Sequence, residues 1–557
     1  MVRRVLSIVY REIRGLHQAA YVLALFTLGS QFLALVRDRM LAHQFGADAS
    51  LDIYYAAFRI PDLLYVLFAS TLSVYVLIPF VSRSQREYGD GSGKDLLSQI
   101  FSLFLIGYSV IAIVCIVIAP MLAPILFPGI EDSDTLVLMT RILLLQPLFL
   151  GISSLFGVVT QLGHRFVLYA VSPLIYNIGI IFGVVALYPL LGLAGLGVGV
   201  VLGALGHMLV QLPFIQNSPL AFQFTTRFSR DQLREVFLVS IPRALTLSLN
   251  QVVLLVLASF ASLMAVGSVA VFQFAYNLHA VPLAVIGVSY SVAAFPLLSQ
   301  LYADREFGKF RVHITTALRH IIFWSVPAIM LIVVLRAQIV RVVLGSGAFD
   351  WDDTRLTAAV LAILVLALLA HAVNLLVVRV FYAAGYTKIP FYLTLMGAVL
   401  AVSTTVFLSA LYAAHPEFAR TLAAAMRLTD VAGSEVLVLA IGYTIAILVQ
   451  ALALLVFAYR VFDIRLMPLL VPFINAATAA FVGGISAYIA LNFLVEGINP
   501  NTFVGIFLQG SLAGIIGVAG IILTYIGLQT EELQEIHGSF RRKLFKTDVV
   551  APQQDII

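Results

Sequence analysis

The sequence predicts an all-α polytopic membrane protein: about 14 transmembrane helices in two six-helix lobes related by a parallel repeat, plus two C-terminal helices. Three observations predict it. Of 557 residues, 61% are hydrophobic and only 11% charged, against about 25% charged in an average soluble chain. The apolar residues run unbroken for about 20 residues or more, the length of a membrane-spanning helix, whereas barrel strands are about 10 residues long and alternate. Finally, the chain partly repeats itself. SVYVLIPFVSRSQREYG at 73–89 resembles SYSVAAFPLLSQLYADREFG at 289–308, with Pro79 falling on Pro296 and Ser82 on Ser299, an offset of 217 in both cases.

Composition also sets exclusions. The formal net charge of +5 comes from basic loops and is not a nucleic-acid signal. Cys115, the single cysteine, lies in an apolar run, which excludes an intrachain disulfide framework and a cysteine zinc site. No cleavable signal is expected, because the first apolar run is long and lacks a small-residue cleavage site.

The N-terminal segment 1–18 sets Arg3, Arg4, Arg11 and Arg14 among apolar residues. It suits an amphipathic helix on an anionic cytoplasmic leaflet, or equally a basic tail without a specific lipid. Spans are predicted at 19–40, 51–81, 97–127, 134–161, 166–189 and 191–215 in the first lobe (19–216). The second lobe (234–461) has spans at 235–262, 266–299, 312–338, 355–384, 389–413 and 436–459. Two more, 467–494 and 502–528, make up 466–530, and a basic tail follows at 531–557. Pro61, Pro147, Pro242 and Pro282 lie inside spans and should kink or break them.

Loop charge gives the orientation. Arg83, Arg86, Lys94, Arg227, Arg230, Arg234, Lys309 and Arg311 fall on one side with both termini, while Glu131, Asp132, Asp350, Asp352, Asp353 and Glu417 fall on the other. The positive-inside rule makes both termini cytoplasmic, which requires an even number of spans. Two copies of a six-span repeat then share one orientation, a transporter architecture with the substrate path between halves.

The lobes are not equivalent. The first holds Arg37-Asp38 where the second is apolar around Leu257, and no acid lies within a predicted span across 236–416. At 1.5 Å per residue, Arg37 lies about 27 Å along a first span that begins near Ala19. Two readings stay open: Arg37 and Arg39 snorkel to the outer interface, or Arg37 lines a wet cavity with Asp38 as counter-charge. In the second span Asp52, Tyr55, Arg59 and Asp62 form one polar stripe, with Ser70 and Ser73 beyond it. The stripe is either a structural pair of Arg59 with Asp62 or a cavity wall that meets a polar or anionic cargo. Arg243 lies about 13 Å into the seventh span, too deep for easy snorkelling. His207, His279, His371, Asn177, Asn250, Gln251, Asn277 and Asn374 read first as interhelical glue. No metal-ligand spacing, phosphate-binding glycine loop, catalytic triad or paired acids point to an enzyme or a cofactor.

The residues that carry charge also carry a resemblance. Ser30-Gln31-Phe32-Leu33-Ala34-Leu35-Val36-Arg37-Asp38 is followed by Phe45-Gly46. Then comes Asp52-Ile53-Tyr54-Tyr55-Ala56-Ala57-Phe58-Arg59-Ile60-Pro61-Asp62-Leu63-Leu64-Tyr65, and later Phe381-Tyr382-Ala383 with Thr387-Lys388-Ile389-Pro390. Together these resemble the MurJ (MviN) lipid II flippases of the MOP transporter superfamily. The resemblance implies a multi-pass bacterial inner-membrane transporter, not an enzyme. It implies that undecaprenyl-diphosphate-linked peptidoglycan precursor moves from the inner to the outer leaflet by alternating access. It further implies a cationic central cavity for the headgroup, a groove along spans thirteen and fourteen for the lipid tail, and partners among membrane lipids and the cell-wall synthesis machinery.

The expected cavity residues are Arg37, Asp38, Arg59 and Asp62, the added cation Arg243, and Gln31, Tyr65 and Asn277. Gln31, Tyr65 and Asn277 stand where the family pattern has arginine. That leaves alternatives open: a flippase for another polyprenyl-linked saccharide, a non-transporting scaffold for envelope assembly, or a cation-coupled drug exporter.

Overall fold

A computed structural model describes residues 16–69, 72–494, 498–499 and 502–536, and all regular secondary structure among them is helical. Most of segment 1–18, Ser70 and the basic residues of the tail lie outside the described residues. Among the described residues eleven helices are long and apolar enough to cross a membrane. The bent pair Trp351–Leu366 and Leu368–Ala383, with 45° between its halves, makes up to twelve. These correspond to the third through fourteenth predicted spans. The count of fourteen therefore exceeds the number meeting that measure by the first two spans, which are also the most charged.

The first predicted span is the 30-residue helix Leu16–Phe45. The second is not continuous: it divides into Ala49–Ala57, Arg59–Ala69 and Val74–Tyr88. The break at Phe58 leaves Pro61 in the first turn of the middle piece, where a missing N–H leaves no hydrogen bond unmade. Pro147 acts alike, at the start of Gln146–Leu162. Pro242 lies inside the uninterrupted helix Arg230–Ser262, while Pro282 lies in the last turn of Ser268–Leu283, which runs on into a π-helical turn at Ala284–Val288.

The repeat is visible in local structure. Val74–Tyr88, with 15 residues and Pro79 inside it, precedes the 37-residue helix Asp90–Leu126. Ser289–Ala303, also of 15 residues and with Pro296 inside it, precedes the 37-residue helix Phe307–Val343.

The chain divides into two compact units. The first comprises Met1–Val281, Val340–Leu364 and Tyr386–Gln450. Its apolar core includes Leu77, Leu97, Phe104, Tyr108 and Leu155, and the buried Tyr108 hydroxyl donates to Leu144 O at 2.6 Å. Helices Phe166–Phe182 and Leu193–Leu209 meet through glycine. A Cβ on Gly179 would sit 2.2 Å from Gly203 Cα, and one on Gly199 would sit 2.4 Å from Gly183 Cα. In a membrane no hydrophobic force joins helices, so such close backbone contact supplies the packing.

The second unit comprises Pro282–Ile339, Val365–Gly385 and Ala451–Ile557. Its last two membrane helices, Leu470–Ile489 and Phe503–Gly527, pack through Gly483, Gly517 and Ala487. Phe481, Tyr488 and Ile515 remain exposed, as lipid-facing positions should. Tyr525 stacks on Phe323 with centroids 4.2 Å apart and donates to Phe323 O at 2.7 Å. Beyond it, Arg319 binds Glu531 at 2.6 Å and Glu532 at 2.8 Å.

Candidate functional site

Five helices of the first unit bring polar side chains to one cavity of about 190 Å³. Arg37 projects from Leu16–Phe45, and Tyr54 and Tyr55 from Ala49–Ala57. Arg59 and Asp62 lie on the first turn of Arg59–Ala69, Tyr176 on Phe166–Phe182, and Gln273 and Asn277 on Ser268–Leu283. The break at Phe58 is what lets one span present two tyrosines and an Arg/Asp pair to the same space.

Arg37, Asp38, Asn277, Gln273 and Arg59 form one hydrogen-bonded chain. Arg37 donates to Asp38 Oδ1 from Nε at 2.9 Å and from Nη2 at 2.7 Å, and its Nη1 donates to Asn177 Oδ1 at 3.2 Å. Asn277 Nδ2 donates to the other oxygen of Asp38 at 3.0 Å. Gln273 Nε2 donates to Asn277 Oδ1 at 2.6 Å, and Arg59 Nη2 donates to Gln273 Oε1 at 2.6 Å. Two carboxamides one helical turn apart thus bridge the two charged centres. Gln146 Nε2 holds the Tyr176 hydroxyl at 3.1 Å.

The charges balance formally, with Arg37 and Arg59 against Asp38 and Asp62. Arg59 is 5% exposed. Its Nε and the Tyr55 hydroxyl are buried donors without a hydrogen-bond partner among the described residues. Each such donor costs about 1–3 kcal/mol, so the cavity favours a guest rich in acceptor oxygens. No group of three or more His, Cys, Asp or Glu could hold a metal ion among the described residues.

The predicted site residues separate. Arg37, Arg59, Asp62 and Asn277 line the cavity, and Asp38 joins it through Arg37 and Asn277. Gln31 is exposed, while Tyr65 and Arg243 are half-buried, and none of the three lines this cavity. Asp52 departs from the predicted stripe. Its carboxylate accepts from Gly267 N at 2.7 Å and Ala270 N at 2.8 Å. It therefore caps the start of Ser268–Leu283, where free N–H groups and the helix dipole favour an anion. Arg39 does not simply snorkel: its Nη1 donates to Val342 O at 2.5 Å, at the C-terminal end of Phe307–Val343.

Sequence reasoning missed Gln273 and Tyr176 as cavity residues and treated Asn177 only as glue. The available signal was spacing: Gln273 precedes Asn277 by four, on one face of a helix, and Tyr176 adjoins Asn177.

The model of the family "Lipid II flippase MurJ" matches residues 41–429. A protein named probable lipid II flippase MurJ, from Rickettsia prowazekii (strain Madrid E), is 23% identical over 394 residues, covering 69% of this chain and 76% of that protein. A solved structure titled lipid II flippase MurJ, inward closed conformation, superposes with a TM-score of 0.71 at 20% identity. It covers 92% of this chain and 100% of its own. An inward-facing multidrug resistance MATE family transporter of the MOP superfamily superposes with a TM-score of 0.63 at 14% identity, over 78% of this chain and 94% of its own.

Proposed function

The chain belongs to the lipid II flippase MurJ family, and on that premise we propose that it moves lipid-linked peptidoglycan precursor from the inner to the outer leaflet of a bacterial inner membrane. The observation that carries the reading is the Arg37–Asp38–Asn277–Gln273–Arg59 chain, enclosed in a protein otherwise this apolar. A diphosphate supplies acceptor oxygens for guanidinium groups, whose planar donor fork suits phosphate. Incoming oxygens take the Arg59 Nε and Tyr55 hydroxyl and compete with Gln273 for Arg59. The polyprenyl tail stays in lipid, along the last two membrane helices. Both termini are cytoplasmic, lobes 19–216 and 234–461 alternate in access, and the cell-wall synthesis machinery receives the product.

The test is replacement of an essential lipid II flippase in cells. Growth with the wild-type chain, and its loss with Arg37→Ala or Arg59→Ala at equal membrane level, is the expected result. Growth unaffected by both substitutions overturns the site assignment.

A second reading has its own observation. Gln273 and Asn277 are neutral at the centre of the cavity, and Asn277 stands where the family resemblance implies arginine. An electroneutral wall of amides and tyrosines suits a less anionic headgroup, another polyprenyl-linked saccharide. Asn277→Arg sets a cation beside Asp38, and it should maintain or improve growth if the cargo is lipid II. If growth is lost while the protein remains in the membrane, the second cargo is favoured.

A further inference from the structure

The first unit holds a larger cavity, of about 690 Å³, apart from the residues just described. That volume falls within the range of small-molecule sites. Its wall includes Arg39, His43, Gln44, Val185, Tyr188 and Ser346, and among the described residues no carboxylate lines it. Arg39, His43 and Gln44 occupy one face at the end of Leu16–Phe45. Arg39 is held through Nη1 by Val342 O at 2.5 Å, and Arg341 lies close enough to repel it, so positive charge gathers on this wall beside His43. The acids of the loop that follows Ser346 are engaged with backbone N–H groups. Asp353 accepts from Ala47 N at 3.1 Å, and Asp350 accepts from Asp353 N at 2.9 Å. The opposite wall is locally remodelled: the π-helical turn Gly183–Leu187 gives way to the short helix Tyr188–Leu191, and π-turns recur at functional positions.

Two apolar stripes lead to the cavity. Leu25, Leu28 and Phe32 are exposed on Leu16–Phe45, spaced to continue through Arg39 and His43. Ile178, Phe182 and Val185 are exposed at the same kind of spacing along the neighbouring helix, which packs against the first. The geometry points to a binding site for an anionic membrane lipid. Its phosphate headgroup rests against Arg39 and His43, and its acyl chains lie on the two stripes. With the termini cytoplasmic, this site faces the outer leaflet. It is separate from the transport cavity and shares no residue with it.

The test is native mass spectrometry of the full chain titrated with phosphatidylglycerol or phosphatidylcholine, with inorganic phosphate as competitor. The wild type is expected to retain phosphatidylglycerol at least about tenfold better than phosphatidylcholine, the scale of one hydrogen bond to a charged group. Arg39→Ala should erase most of that preference, and Arg39→Lys should retain part of it. Val185→Trp, which fills the wall without touching charge, should lower retention of the lipid. Equal retention of the two lipids by the wild type, or a preference unchanged in both Arg39→Ala and Val185→Trp, overturns the site. Displacement of phosphatidylglycerol by millimolar inorganic phosphate overturns the lipid assignment in favour of a free anion.

Discussion

Among the described residues Arg59 is held by a hydrogen bond to Gln273 and keeps a buried donor without a partner. A guanidinium in that state gains more from an incoming oxygen than one already saturated. Arg59→Ala should therefore weaken binding of a lipid-linked diphosphate by about tenfold to a hundredfold, the range for losing a charge-assisted hydrogen bond. Arg37 is tied to Asp38 by two donors, so Asp38→Asn should loosen its orientation and lower transport without removing the cation. Asp52 has a different duty. As a helix cap, its replacement by alanine should cost about 0.5–2 kcal/mol of stability, read as earlier thermal unfolding, with headgroup affinity little changed. At this scale the sequence told charge but not partnership. Arg37, Asp38 and Arg59 stand out because ionised groups are rare within spans. Gln273 and Tyr176 do not, because an uncharged polar residue in a span looks the same whether it bonds a neighbouring helix or faces a guest. Nor can spacing along one helix reveal that Asn177 meets Arg37 across 140 positions of sequence.

Elements carry these residues to their places. The helix bearing Tyr176 and Asn177 is set by its glycine seam, and a Cβ on Gly203 would sit 2.5 Å from Tyr176 O. Gly203→Val should force the two helices apart, cost about 1–3 kcal/mol by overpacking, and disturb the cavity from outside it. The readout is lower thermal stability together with reduced complementation. On the extracytoplasmic side of the proposed orientation, Arg355 donates to both oxygens of Asp430 at 2.7 Å. Those bonds lower the Asp430 pKa to about 2. A carboxylate with a depressed pKa contributes its attachment above its ordinary pKa and loses it only as pH falls through about 2. Amide protection of the 416–436 segment, corrected for the intrinsic pH dependence of exchange, should thus be alike at about pH 4 and about pH 7, and lower at both in Asp430→Asn. The proline positions were legible at this scale, but their outcomes differed with place. Pro61 and Pro147 start helices, whereas Pro242 is accommodated within one.

For the whole molecule, long apolar runs fix the helical membrane class, and twelve of the fourteen predicted spans coincide with long apolar helices or the bent pair. The second falls short because it is divided into three short helices, whereas the first is one helix whose run 19–36 holds no charge. Arg37, Asp38 and Arg39 sit in one helix, and the other is broken at Phe58 beside Arg59 and Asp62. The most direct test of the account measures outer-leaflet exposure of radiolabelled lipid-linked precursor, by its cleavage with an externally added hydrolase, in cells where this chain is the only flippase. Cleavage with the wild-type chain, and a fall of at least about tenfold with Arg37→Ala or Arg59→Ala, is the expected result. Cleavage undiminished in both variants, or none with the wild type, would contradict it.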